Sequence, residues 1–137
     1  MSWQTSLVKI ADYEVEQRRK RLAAILDRRS VAERRLAALH AEAEAERRRV
    51  AGDADAGWFQ MGYLEGWRAR RDRVLAEIES LALEEAGARD ALTYAFEELK
   101  KYEQIAENAA VRARKAEAKL ETAAMDELGG RRAAAGR

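Results

Sequence analysis

The chain has 137 residues, enough for one domain, and its 26 basic residues against 25 acidic ones leave a net charge of +1. That balance argues against a polyanion-binding protein, which carries a strong basic excess. The absence of cysteine excludes disulfides, thiolate chemistry and Cys-based zinc sites.

With no proline in the chain, nothing obliges a helix to stop. Ala, Glu, Arg, Lys and Leu dominate, the composition of a coiled coil or long helix. The opening MSWQTSLVKIADYEVEQRRK has no apolar signal-peptide core, and no run approaches the ~18 apolar residues of a membrane span. The expectation is a soluble, cytoplasmic protein.

The first predicted element is a helix over about residues 5–51. Alternating steps of three and four from Val8 to Val50 select thirteen positions, of which ten are apolar. Arg18 and Arg29 are exceptions, placed to snorkel or to set register. A break follows at Gly52-Asp53-Ala54-Asp55-Ala56-Gly57. Gly52 suits the left-handed conformation that ends a helix, and Asp53 or Asp55 suits the N-cap of the next one.

The second helix is predicted over about residues 58–128. The same stepping from Leu64 to Ala123 selects eighteen positions, sixteen apolar, with no stutter. Arg71 and Glu85 are the exceptions. A short break between two apolar stripes predicts an antiparallel two-helix coiled-coil hairpin, all-α, with the second helix longer than the first. Folding about the break pairs residue i with about 109 minus i. From about Ala106 onward the second helix then has no partner in its own chain. Its stripe nevertheless continues through Ala106, Ala109, Ala113, Ala116, Leu120 and Ala123. An apolar stripe without an internal partner predicts an external one. Gly129-Gly130 is expected to stop this helix and leave residues 129–137 as a frayed tail.

A two-helix seam encloses no sizeable cleft, which weighs against catalysis. His40, the single histidine, follows Leu39 among alanines and reads as a surface residue rather than a catalytic base or metal ligand. Asp53 and Asp55 fail the calcium-loop pattern, because the later ligand positions fall on Gly57 and Leu64. Gly52, Gly57, Gly62 and Gly66 have no Gly-Lys-Ser/Thr and no preceding strand, so they form no phosphate loop. Gly62 and Gly66 signal either an irregular helix start or a backbone open to close approach. No catalytic residue, cofactor or metal is expected. The basic runs at 18–21, 47–49 and 68–73 have carboxylates one turn away, as in Glu44 with Arg48, and read first as a solvated face. Their alternative reading is a phosphate-tracking stripe of a nucleic-acid-binding coiled coil, although no nucleic acid is expected. A further alternative is a generic scaffold that dimerises through the unpaired stripe.

Residues 52–67, GDADAGWFQMGYLEGW, hold four of the chain's nine aromatic residues: Trp58, Phe59, Tyr63 and Trp67. Trp67 suits a seam position. All four cannot face one seam, since adjacent helical residues point about 100° apart. Exposed Trp and Tyr are enriched where proteins bind one another, so this tip is a candidate partner surface.

Residues 97–132, EELKKYEQIAENAAVRARKAEAKLETAAMDELGGRR, resemble the C-terminal half of the FliJ family of flagellar export proteins. The likeness rests on a Lys-rich turn, the step Tyr102-Glu103-Gln104-Ile105, and the ending Met125-Asp126-Glu127-Leu128 before Arg131-Arg132. The start, SLVKIADYEVEQRRKRLA, is similar to the family's N-terminus. This resemblance implies a non-enzymatic stalk whose terminal end engages a hexameric export ATPase, and which contacts the export gate membrane protein and export chaperones. It also implies a location at the inner face of the cell membrane, peripheral through those partners. On that basis the stripe from Ala106 to Ala123 is the expected ATPase contact. Trp58, Phe59, Tyr63 and Trp67 are the expected gate or chaperone contact.

Overall fold

A computed structural model of the chain describes residues 2–53 and 57–136, with the side chains of residues 57–59 outside that description. Two helices account for nearly all of it: α1 is Trp3–Val50 and α2 is Gly57–Ala135. They pack against each other as a hairpin, and no strand occurs among the described residues.

Helix α1 begins two residues earlier than predicted because Ser2 caps it. The Ser2 hydroxyl accepts from the Thr5 amide at 3.2 Å, and the Ser2 carbonyl accepts from the Ser6 amide at 3.2 Å. At the other end the Asp53 amide donates to the Val50 carbonyl at 3.1 Å, closing the turn. No described glycine has positive φ, so Gly52 does not supply the left-handed cap expected of it. The cap expected of Asp55 lies outside the described residues.

The predicted stop at Gly129-Gly130 does not occur: α2 runs through both glycines to Ala135. Each glycine costs a helix about 1 kcal/mol relative to Ala. The flanking Leu128, Arg131, Arg132 and Ala133–Ala135 favour helix strongly, and no proline intervenes.

The chain divides into two compact units. One, residues 16–93, contains the turn and a well-packed seam. Leu22, Ile25, Ala32, Leu81 and Ala88 form its buried cluster, with Ile78 and Leu92 packed against it. Arg28 bonds Glu84 at 3.2 Å, Arg35 approaches Glu77 at 3.6 Å, and Glu42 receives Arg70 at 3.0 Å. In each pair the residue numbers add to 112, and successive pairs step by one heptad. All six residues stand one position before a seam residue. The pairs therefore form a ladder along one flank of an antiparallel coil.

Inside the seam Arg29 reaches Glu85 at 2.9 Å; Arg29 also holds Glu33 at 3.1 Å, and Glu85 receives Arg89 at 3.3 Å. This four-residue network is the polar layer that the two seam exceptions predict. A partly buried polar layer of this kind disfavours slipped registers, where its charges would lose their partners.

The other unit comprises residues 1–15 and 94–137, and buries Ala11, Val15, Ala95 and Leu99. Burial on α2 fades through Ala106 and Ala109 and ends at Val111; from Arg112 to Gly136 every residue is exposed. The unpaired stretch therefore begins about five residues later than predicted, in keeping with the earlier start of α1. All eleven buried hydrophobic residues of the described chain fall on the two heptad stripes read from the sequence.

Candidate interaction surfaces

The structure separates the two predicted surfaces sharply. On the α2 overhang, Ala106 and Ala109 are half-buried, whereas Ala113, Ala116, Leu120 and Ala123 are exposed. Leu120 is 72% exposed, Met125 69% and Leu128 52%. Burying such side chains is worth roughly 1.5–3 kcal/mol each, and none of the three is buried within its own chain. Leu128 and Met125 lie off the heptad stripe, which is why stepping along the seam missed them.

At the turn, Trp67 is committed to the seam. Its indole N–H donates to the Leu39 carbonyl at 2.7 Å, its ring meets the edge of His40 at 5.5 Å, and the Arg71 guanidinium lies 5.4 Å from its centre. Trp67 is 8% exposed, so the folded chain offers little of it to a partner. Tyr63 is half-buried, and its hydroxyl is enclosed. Burial, and then the neighbouring Glu42 carboxylate, push its pKa up. The side chains of Trp58 and Phe59 lie outside the described residues. Met61, which the sequence reading passed over, is 72% exposed beside them in the chain.

Two shallow grooves flank the seam near the turn. One, of about 400 Å³, has a floor of Ala38, Leu39 and Val74 between the Arg35–Glu77 and Glu42–Arg70 pairs. The second, of about 310 Å³, is bordered by His40, Glu44, Glu46, Arg47 and Tyr63. Its carboxylates are engaged by arginines of the same helix: Glu44 by Arg47 at 2.8 Å and Arg48 at 3.2 Å, Glu46 by Arg49 at 2.5 Å. No group of three or more His, Asp or Glu suited to a metal exists among the described residues. Nor is any described helix long and apolar enough to cross a membrane.

These pairs carry a pH dependence. Hydrogen bonding from Arg47, with Arg48 in support, lowers the Glu44 carboxyl from 4.5 to about 2. Glu42 and Glu46 move in the same direction, held first by Arg70 and Arg49. A carboxyl whose folded pKa is depressed contributes stability above its unfolded pKa, and loses that contribution as pH falls through the folded value. Acidification from 4.5 towards about 2 should therefore loosen residues 42–50 before the cluster around Leu81. Amide exchange followed residue by residue tests this; simultaneous loss of protection in both segments would contradict it.

The described residues thus form an antiparallel coiled-coil hairpin whose second helix extends beyond its partner. Comparison with known proteins places it further. The chain is 53% identical over 134 residues to the flagellar FliJ protein of Caulobacter vibrioides, in both strain NA1000 and strain CB 15. The match covers 98% of this chain and 96% of each relative. The protein belongs to the FliJ family. No family model matches the chain, and no solved structure does.

Proposed function

We propose that this protein is a non-enzymatic, stalk-like adaptor of flagellar type III protein export. Its α2 overhang engages the hexameric export ATPase and promotes assembly or turnover of the ring. The observation that carries this reading is the overhang itself: an exposed helix from Arg112 onward, with Leu120, Met125 and Leu128 in solvent, in a chain of the FliJ family. The alanines at 113, 116 and 123 allow the backbone of a surrounding protein to come close. The tip, with Trp58, Phe59 and Tyr63 and with Met61 beside them, is the surface proposed for the export gate or a chaperone. Such a protein works at the inner face of the membrane through its partners.

The test is ATP hydrolysis by the export ATPase of the same organism, alone, with the full chain, and with a chain ending at Ile105. Stimulation by the full chain, lost in the shorter one, is the expected result. The truncation leaves all eleven buried hydrophobic residues in place, so its hairpin should keep its helical circular dichroism. Equal stimulation by both chains would remove the overhang from the contact. Stimulation by neither would make a scaffold of unknown partner the better reading.

A further inference from the structure

We propose that the overhang pairs with the overhang of a second copy of this chain, antiparallel and centred between Glu121 and Thr122. The inference does not rest on the ATPase reading; it rests on charge order and length.

In the hairpin, three pairs of flank slots carry opposite charges across the coil: Arg28–Glu84, Arg35–Glu77 and Glu42–Arg70. On the same flank as those pairs the exposed segment has four slots, one residue before Ala113, Leu120, Glu127 and Ala134: Arg112, Lys119, Asp126 and Ala133. Lys119 and Asp126 have no ion-pair partner among the described residues. Antiparallel pairing of two overhangs can set Lys119 against Asp126 of the second copy. Symmetry makes that contact twice, and leaves Arg112 facing Ala133. Slipping by one heptad one way sets Lys119 against Lys119; slipping the other way sets Asp126 against Asp126. One register thus joins opposite charges and opposes no like ones.

The same register suits the seam. In the hairpin, facing seam residues such as Leu22 and Ala88, or Ala32 and Ile78, add to two less than the flank pairs do. Applied to the overhang, that rule sets Leu120 against Ala123, a large group facing a small one, and Ala113 against Gly130, two small ones. Glu127 faces Ala116 and keeps its own ion pair with Arg131 at 2.8 Å.

Length agrees independently. By the hairpin's rule α1, starting at Trp3, begins beside about residue 107 of α2. The incoming helix, ending at Ala135, reaches about residue 108. The second copy would fill the uncovered face and stop where α1 starts. Charge order and chain length, read separately, select the same register. Self-pairing would cover the face offered to the ATPase, so the two associations would exclude each other.

Sedimentation of the full chain at tens of micromolar should show a reversible dimer. Lys119→Asp and Asp126→Lys should each weaken it by about tenfold, and the two changes in one chain should restore it. Orientation is read by cross-linking, since the chain has no native cysteine. A mixture of Ala113→Cys and Gly130→Cys chains should form a disulfide between the two introduced thiols. Space around Gly130 is open, so a side chain there meets nothing in its own chain. A strict monomer at these concentrations would overturn the proposal. So would efficient linking of Ala113→Cys to itself, which the proposed register keeps apart, or a double reversal no better than the single ones.

Discussion

Replacing Trp67 by alanine should cost about 3–5 kcal/mol of stability, the range for deleting a large buried aromatic. The indole is 8% exposed and sits where α1 and α2 meet nearest the turn. Its loss would leave a cavity beside Leu39, free the Leu39 carbonyl of its 2.7 Å donor, and remove the surface against which His40 and Arg71 rest. Trp67→Phe should retain most of the packing and lose mainly the hydrogen bond, worth about 0.5–1.5 kcal/mol. Urea unfolding followed by circular dichroism measures both. Amide exchange should show the loosening concentrated in residues 36–50 and 60–74. A cost under about 1 kcal/mol for Trp67→Ala would mean that the indole is not structural, and would return it to the partner surface at the tip.

The second large effect is a contrast between two leucines on the same stripe. Leu81 is 1% exposed at the centre of the buried cluster, whereas Leu120 is 72% exposed on the overhang. Leu81→Ala removes well-packed methyl groups and should cost about 2–5 kcal/mol, with a clear fall in Tm. At concentrations where the chain is monomeric, Leu120→Ala leaves no cavity and exchanges one strong helix former for another, so its effect should stay within about 0.5 kcal/mol. Its consequence should appear in association: weaker stimulation of the export ATPase, with helicity and Tm preserved. If Leu120→Ala lowered Tm as Leu81→Ala does, the overhang would be packed in solution against something that the single chain does not show. If it left both stability and ATPase stimulation unchanged, Leu120 would have no part in the contact.

Much of this architecture was legible because a coiled coil is written locally. The heptad stripes named every buried hydrophobic residue among those described, and the exceptions at Arg29 and Glu85 turned out to face each other across the seam at 2.9 Å. The aromatic cluster was less legible. Sequence spacing showed that its rings could not share one face, but not that Trp67 would be absorbed by a carbonyl of the facing helix while Met61 stayed in solvent. The helix ends were read least well. A single serine at position 2 carries little signal of its cap, and the helix preference of the residues around Gly129-Gly130 outweighs the two glycines.

By itself the sequence determined the helical class, the single break, the seam residues and the presence of an apolar stripe longer than its internal partner. Each follows from periodicity and propensity, which act over a few residues. Tertiary structure alone decided the register, because sliding one helix along the other by a heptad alters neither periodicity nor propensity. It is set by which charges meet across the coil, as in the Arg28, Arg35 and Glu42 ladder. Register in turn decided where partial burial ends, at Val111, and so how much of α2 stands free to meet another protein.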